Sequence, residues 1–265
     1  MKNKSDKKLL SVIIPVFRQS LTIVKNIKDV REALSEIRYD YELLIVVDGC
    51  LKSYLQAKKT RNDKTRIYFL KENQGKGFAV RHGMSRAKGD YIAFLDAGME
   101  IDPNGISMLL EHMEWYNADV IVGSKRHLVS IVNYPLERKI LSFGFFWLAR
   151  ILFGVKIKDT QAGIKIYKRE VLEKILPLLV IKRYAFDIEM LSVASRFGYK
   201  RIYEAPIKLD FKFDNLTNAA ALNTIWKMLW DTAAVFYRLN ILRYYDKQKK
   251  TVIARSKTTK QSLSM

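Results

Sequence analysis

The chain has 265 residues, 49% of them hydrophobic and 28% charged, which is enough apolar material for one sizeable α/β domain with appendages and excludes a disordered chain. Its single cysteine, Cys50, excludes an internal disulfide framework, and three scattered histidines (His82, His112, His127) exclude a Cys/His zinc cluster, so a reducing cytosol is the expected setting. A net charge of +20, from 47 Lys and Arg against 27 Asp and Glu, points to an anionic partner without choosing among nucleic acid, acidic lipid and phosphorylated substrates.

Residues 1–8 form a basic extension ahead of the first apolar run. That run is short and holds Pro15 with no small-residue cleavage site, so it reads as a strand and not as a signal peptide. Strands are expected over 9–17, 41–48, 66–70, 91–96 and 118–123, near-continuous apolar runs of the kind that a parallel sheet buries on both faces. Helical periodicity separates them. Ile23, Ile27, Val30, Leu34 and Ile37 mark one apolar face, and Asp102 and Pro103 suit the N-cap and first turn of a helix through Leu109, Leu110 and Met113. Strand and helix in alternation predict parallel strands joined by crossover helices.

Beyond Gly123 come an aromatic-rich helix around 143–153, a loop KDTQAG at 158–163, a strand over 163–168 and a helix over 186–197 stopped by Gly198. The most apolar segment, 140–155, is interrupted by Arg150 and is shorter than the ~20 residues a membrane span needs, so it suits a bilayer surface or a packed core. Residues 214–246 read as an amphipathic helix with Trp226, Leu229, Trp230, Ala233 and Phe236 at helical spacing. Residues 247–265 are basic and polar and are expected to be disordered.

Open parallel sheets bind ligands beyond the carboxyl ends of their strands. The residues placed there are Pro15 and Phe17, Asp48, the Asn73–Gly77 loop with Lys76 between two glycines, and Asp96. Singly, a strand-end Asp is most often a turn former and a loop Lys is solvated. Together they predict one cleft, and a Gly-Lys-Gly loop opening a helix suits a phosphate. The spacing is not that of a Walker A loop. No RRM, KH or helix-turn-helix pattern accompanies the charge, so nucleic acid is not the expected partner.

In order, SVIIPVF (11–17), ELLIVVDG (42–49), NQGKGFAVRHGMSRAKGDYIAFLDAG (73–98), DTQAGIKIYKRE (159–170) and YAFDIEMLSVASRFGYKRIYEAPI (184–207) resemble the motif set of family 2 inverting glycosyltransferases. The resemblance covers roughly 9–213 and is closest to the polyprenyl-phosphate branch, the dolichyl-phosphate glucosyl- and mannosyltransferases. It implies a GT-A type α/β fold with a mostly parallel, Rossmann-like central sheet flanked by helices. It further implies transfer of a hexose from UDP-glucose or GDP-mannose to a polyprenyl phosphate, by a peripheral protein on the cytoplasmic membrane face.

Carried over residue by residue, the resemblance makes Pro15, Phe17, Asp48, Lys76, Asp96 and Asp159 donor-binding residues, with Val47 in place of the first of two acids before Gly49. Asp96, Gln161 and Asp187 become the catalytic set. The family's Asp-x-Asp aligns with Asp96, Ala97 and Gly98, so the second acid is missing, and a divalent ion, Mg2+ or Mn2+, is expected on Asp96 and Glu100. Lys125, Arg126, Arg138 and Ser142 align with the residues that grip the acceptor phosphate. Asp187 aligns with the family's base, but at the head of a helix it equally suits an N-cap. Two other readings stay open: the same fold acting on a hydroxyl acceptor with Asp187 as base, and a non-catalytic remnant that binds membrane or another anion. The oligomeric state is not set by the sequence.

Overall fold

A computed structural model describes residues 7–98, 101–133, 136–210 and 218–248. Strand β1 (Leu9–Val16), helix α1 (Ile23–Ser35), β2 (Asp40–Asp48), α2 (Leu51–Lys58), β3 (Thr65–Leu70), α3 (Lys76–Met84) and β4 (Tyr91–Leu95) alternate as expected. Then follow α4 (Gly105–Trp115), β5 (Val120–Ser124), a short β6 (Ile131–Asn133), α5 (Leu136–Phe153), β7 (Ile164–Lys168), α6 (Arg169–Ile175) and α7 (Phe186–Arg196). Strands β8 (Ile202–Pro206) and β9 (Lys208–Asp210) precede α8 (Asn218–Phe236), which runs into a π-helical turn at Tyr237–Ile241.

Seven strands form the central sheet in the order β3-β2-β1-β4-β7-β5-β8, and β6 pairs with β9 beside it. Every pairing in the central sheet is parallel except those of β7, which runs antiparallel to both β4 and β5. The architecture is therefore the mostly parallel α/β sheet that the resemblance implies, made mixed by the one reversed strand β7.

Because side chains alternate across a strand, each strand feeds two cores. Leu10, Val12 and Ile14 of β1 pack with Ile23, Ile27, Val30 and Leu34 of α1 and with Leu109, Leu110 and Met113 of α4. On the other face Ile13, Val46 and Phe94 pack with Ala79 and Val80 of α3 and with Phe186, Met190 and Leu191 of α7.

Two local expectations need correction. Helix α4 begins at Gly105, so Asp102 and Pro103 lie in the turn before it. There Asp102 Oδ1 accepts from the Asn104 amide at 3.0 Å, an Asx-type bond that competes with capping. Helix α5 starts at Leu136, earlier than its aromatic stretch. Helix α8 buries a stripe other than the one read from the sequence. Thr232, Val235 and, in the following turn, Leu239 are buried, while Trp226 and Trp230 are 73% and 78% exposed. Glu100 and residues 249–265 lie outside the described residues, as do residues 1–6 of the N-terminal extension.

Candidate functional site

A cleft of about 610 Å³ opens at the carboxyl ends of β1, β2 and β4. Pro15 and Phe17 line one wall, and Asp48, Asn73, Gly75 and Lys76 line the next. Asp48 is buried, and its carboxylate is already engaged: Oδ1 accepts from the Gln74 amide at 2.7 Å and Oδ2 from the Gly75 amide at 2.8 Å. Its geometry is that of a residue that ties the loop to the sheet. Gly75 holds φ at +99°, and a Cβ there would meet the Lys182 carbonyl oxygen at 2.5 Å, so only glycine fits between the loop and the segment leading to α7. Lys76 then opens α3 and projects into the cleft.

Asp96 stands one residue past β4. Its amide donates to the Gly163 carbonyl at 2.9 Å, and a Cβ on Gly163 would overlap the Asp96 carboxylate, so the glycine of DTQAG is the seat of that side chain. Lys76 Nζ lies 2.6 Å from Oδ1 and 2.9 Å from Oδ2 of Asp96. Burial pulls the Lys76 pKa down, but Asp96 and Asp187 outweigh it and the net shift is upward.

A side chain at Gly98 would meet open space. Among the described residues no three His, Cys, Asp or Glu side chains gather into a metal-holding group. Asp96 does fit the part of one hard ligand: its carboxylate borders the cleft, Oδ1 has Lys76 Nζ as an ion-pair neighbour and no aligned hydrogen bond, and diphosphate oxygens and waters complete such sites. Glu100, the expected second ligand, lies outside the described residues.

Asp187 is not on the cleft wall. It is the second residue of α7 and not its N-cap, and it is 4% exposed. Its Oδ1 accepts from Lys165 Nζ at 2.5 Å, and Lys165 itself is 0% exposed. Burial pushes the Asp187 carboxyl up against the pull of Lys165 and Lys76, and burial pushes the Lys165 ammonium down against the pull of Asp187. The N-cap expectation therefore fails, because the carboxylate turns inward to a buried cation.

Asp159 is also buried. It receives the Lys125 amide at 3.0 Å and holds Lys125 Nζ at 3.7 Å, which leaves Lys125 to line the cleft. Gln161 lines it too, with its amide against Met228 of α8. Arg126 lies elsewhere: its guanidinium stacks over Phe143 and Phe146 of α5, at 5.5 and 5.2 Å from the ring centroids. Arg138 and Ser142 fall within α5, and their side chains lie outside the described residues.

Among the lining residues that escaped the sequence reading are Arg183 and Tyr184, just before α7, and Lys227 of α8. The KRYAFD cluster at 182–187 was a signal for the first two. Nothing in the sequence brings Lys227 to the cleft, because that depends on how α8 docks. Among the described residues the cleft thus carries the cations Lys76, Lys125, Arg183 and Lys227 around the carboxylates Asp48 and Asp96, both already engaged. Such a surface suits a ligand rich in phosphate oxygens.

Residues 11–176 match the family described as glycosyl transferase family 2. The dolichyl-phosphate beta-glucosyltransferase of Dictyostelium discoideum is 32% identical over 215 residues, covering 74% of this chain and 65% of that protein. Its Saccharomyces cerevisiae namesake is 31% identical over 261 residues, covering 88% and 76%, and the Homo sapiens one 29% over 210 residues, covering 73% and 65%. This chain thus spans just under two-thirds of the first and third relatives.

Among solved structures, glucosyl-3-phosphoglycerate synthase from Mycobacterium tuberculosis with Mn2+, UDP and phosphoglyceric acid superimposes with a TM-score of 0.65 at 15% identity, over 87% of this chain and 78% of that one. Its complex with Mn2+, UDP-glucose and phosphoglyceric acid gives the same TM-score at 16% identity, over 87% and 79%. At such identities the likeness speaks for the fold alone.

Proposed function

This chain belongs to glycosyl transferase family 2, and from that premise we propose that it transfers a hexose, with inversion, from a nucleotide sugar to a polyprenyl phosphate at the cytoplasmic face of a membrane. The observation that carries the reading is the cation-lined cleft, in which Lys76 and Asp96 at one end and Lys125, Arg183 and Lys227 elsewhere could serve two phosphate-bearing substrates. The relatives' names favour glucose over mannose and therefore UDP-glucose over GDP-mannose. A β product from an α-linked nucleotide sugar requires inversion.

In this reading Pro15 and Phe17 wall the nucleoside, Asp48 fixes the loop that presents Lys76, and Asp96 with Glu100 would hold a divalent ion, Mg2+ or Mn2+. When bound, that ion supplies positive charge to the departing diphosphate. Lys76 adds a fixed ammonium beside it, worth most where water is excluded. Asp159 holds Lys125 toward the acceptor, Gln161 lies over the sugar, and Arg138 and Ser142 complete the acceptor side, with Arg126 held off the cleft against the aromatic face of α5.

A phosphate oxygen forms the new bond to the anomeric carbon as the bond to the nucleoside diphosphate breaks. Phosphate monoesters have a second pKa of about 6, so the attacking oxygen is already ionised at neutral pH and needs no base. The burial of Asp187 favours this over a hydroxyl acceptor, since a base must reach the proton it removes. The exposed Trp226 and Trp230 of α8 and Phe143 and Trp147 of α5 support peripheral membrane contact, and among the described residues no helix is long and apolar enough to cross a bilayer.

The test is incubation with radiolabelled UDP-glucose or GDP-mannose, with Mn2+, and with undecaprenyl or dolichyl phosphate. Label in the organic phase supports the reading. Label on neither lipid with either donor would overturn it.

A further inference from the structure

Lys165 has no part in the chemistry above, yet it is the most deeply buried cation beside the cleft. Its ammonium donates to the Ala162 carbonyl at 2.7 Å and to Asp187 Oδ1 at 2.5 Å, and it sits 5.0 Å from the centre of the Phe94 ring. Lys76 lies over the same ring at 5.8 Å and over Phe186 at 5.8 Å, while bridging to Asp96. Lys76 and Lys165 thus face one ring, and Phe186, under Lys76, is the residue that precedes Asp187, the partner of Lys165.

From the cleft inward the charges therefore alternate: Asp96, Lys76, Asp187, Lys165. A lone charge in this interior would be strongly disfavoured, and the alternation leaves each one beside an opposite. Among the described residues Tyr167, buried on the same strand as Lys165, and the buried Asp159 also act on the pair.

We propose that Lys165 is a positioning residue for the donor site: through Asp187 it fixes the Lys76 ammonium beside Asp96 and toward the donor diphosphate, and it occupies the carboxylate that would otherwise serve as proton acceptor. The inference rests on the donor reading of the cleft. It assigns Asp187 a second-rank role, as the counter-charge of Lys76, and makes the Lys165–Asp187 pair part of nucleotide affinity.

UDP and GDP, each with Mn2+, are titrated by calorimetry into the full chain and into three variants, and turnover is followed from pH 6 to pH 9. Lys165→Met is expected to raise the dissociation constant of the better-binding nucleotide by about tenfold, as loss of a residue behind a ligand does, with a smaller fall in kcat. Asp187→Asn is expected to raise it similarly and to leave the shape of the kcat pH profile unchanged. The double variant K165M/D187L removes both buried charges and so keeps the fold measurable by its melting temperature if either single variant fails to fold. It too is expected to bind the nucleotide about tenfold more weakly.

Wild-type affinity in the double variant would overturn the proposal, because the pair would then be structural only. So would an Asp187→Asn variant that keeps its nucleotide affinity but loses kcat and the acid limb of its profile, because Asp187 would then be the base. Failure of the wild type to label either lipid sinks the acceptor reading and leaves these titrations standing. Failure of the wild type to bind either nucleotide sinks both.

Discussion

At the scale of single residues, the cleft depends on side chains whose freedom is already spent. Asp96 is held from two sides, by the Gly163 backbone and by Lys76. Asp96→Ala is expected to lower kcat/KM by on the order of 10³-fold, since it removes a carboxylate that lines the cleft beside Lys76, and steady-state kinetics at saturating Mn2+ checks this. Gly163→Ala should cost roughly 100-fold without touching any charge, because the new methyl displaces Asp96 by a fraction of its own size. That Pro15, Phe17, Asp48, Lys76 and Asp96 share one cleft was legible because strand-end position and loop composition are local features. That Asp187 would be buried was not, since its partner Lys165 lies 22 residues away in the chain and on a different element. A carboxylate at a helix start looks the same in sequence whether it caps, catalyses or neutralises a hidden ammonium.

At the scale of elements, the strands were the most legible part. Runs such as LLSVIIPV and ELLIVV are apolar on both faces because helices cover both sides of the sheet. Helix α8 was the least legible, because its sequence carries two apolar stripes and periodicity cannot say which one docks. The buried stripe runs through Thr232 and Val235, and the outward one presents Trp226 and Trp230. If that outward stripe meets a bilayer, Trp226→Ser with Trp230→Ser should lower partition onto anionic vesicles by roughly tenfold or more, as the loss of two buried indoles demands. Co-sedimentation with phosphatidylglycerol vesicles measures it, and the melting temperature should stay near that of the wild type. Partition equal to the wild type would exclude α8 from the contact.

At the scale of the whole molecule, two long-range ties can be tested together with the net charge. Near the amino end, Lys8 bonds both Tyr91 and Glu114, so it joins the chain before β1 to β4 and α4. Burial alone would raise the Glu114 pKa, but the bonds from Lys8 and Tyr91 bring it below its ordinary value of 4.5. A depressed acid contributes stability that is present above its unfolded pKa and is lost as the pH falls through the folded one. Urea midpoints should therefore drop more steeply between pH 5 and pH 3, taken as about one unit either side of the ordinary carboxylate range, in the wild type than in Glu114→Gln. The charge of +20 adds a salt dependence: association with anionic vesicles should weaken as the screening length falls from about 10 Å at 0.1 M to about 3 Å at 1 M salt.

The reversed strand β7 has a consequence for how this architecture tolerates change. Its neighbours deliver their last residues to the cleft, whereas β7 delivers its first, so the stretch before Ile164 borders the substrates and the stretch after Lys168 leaves on the far side of the sheet. Lengthening the chain between Phe153 and Asp159 would remodel the site's rim, while the same number of residues added after β7 would be remote from it. Along most of the sheet, variation that alters specificity belongs downstream of a strand. At β7 it belongs upstream.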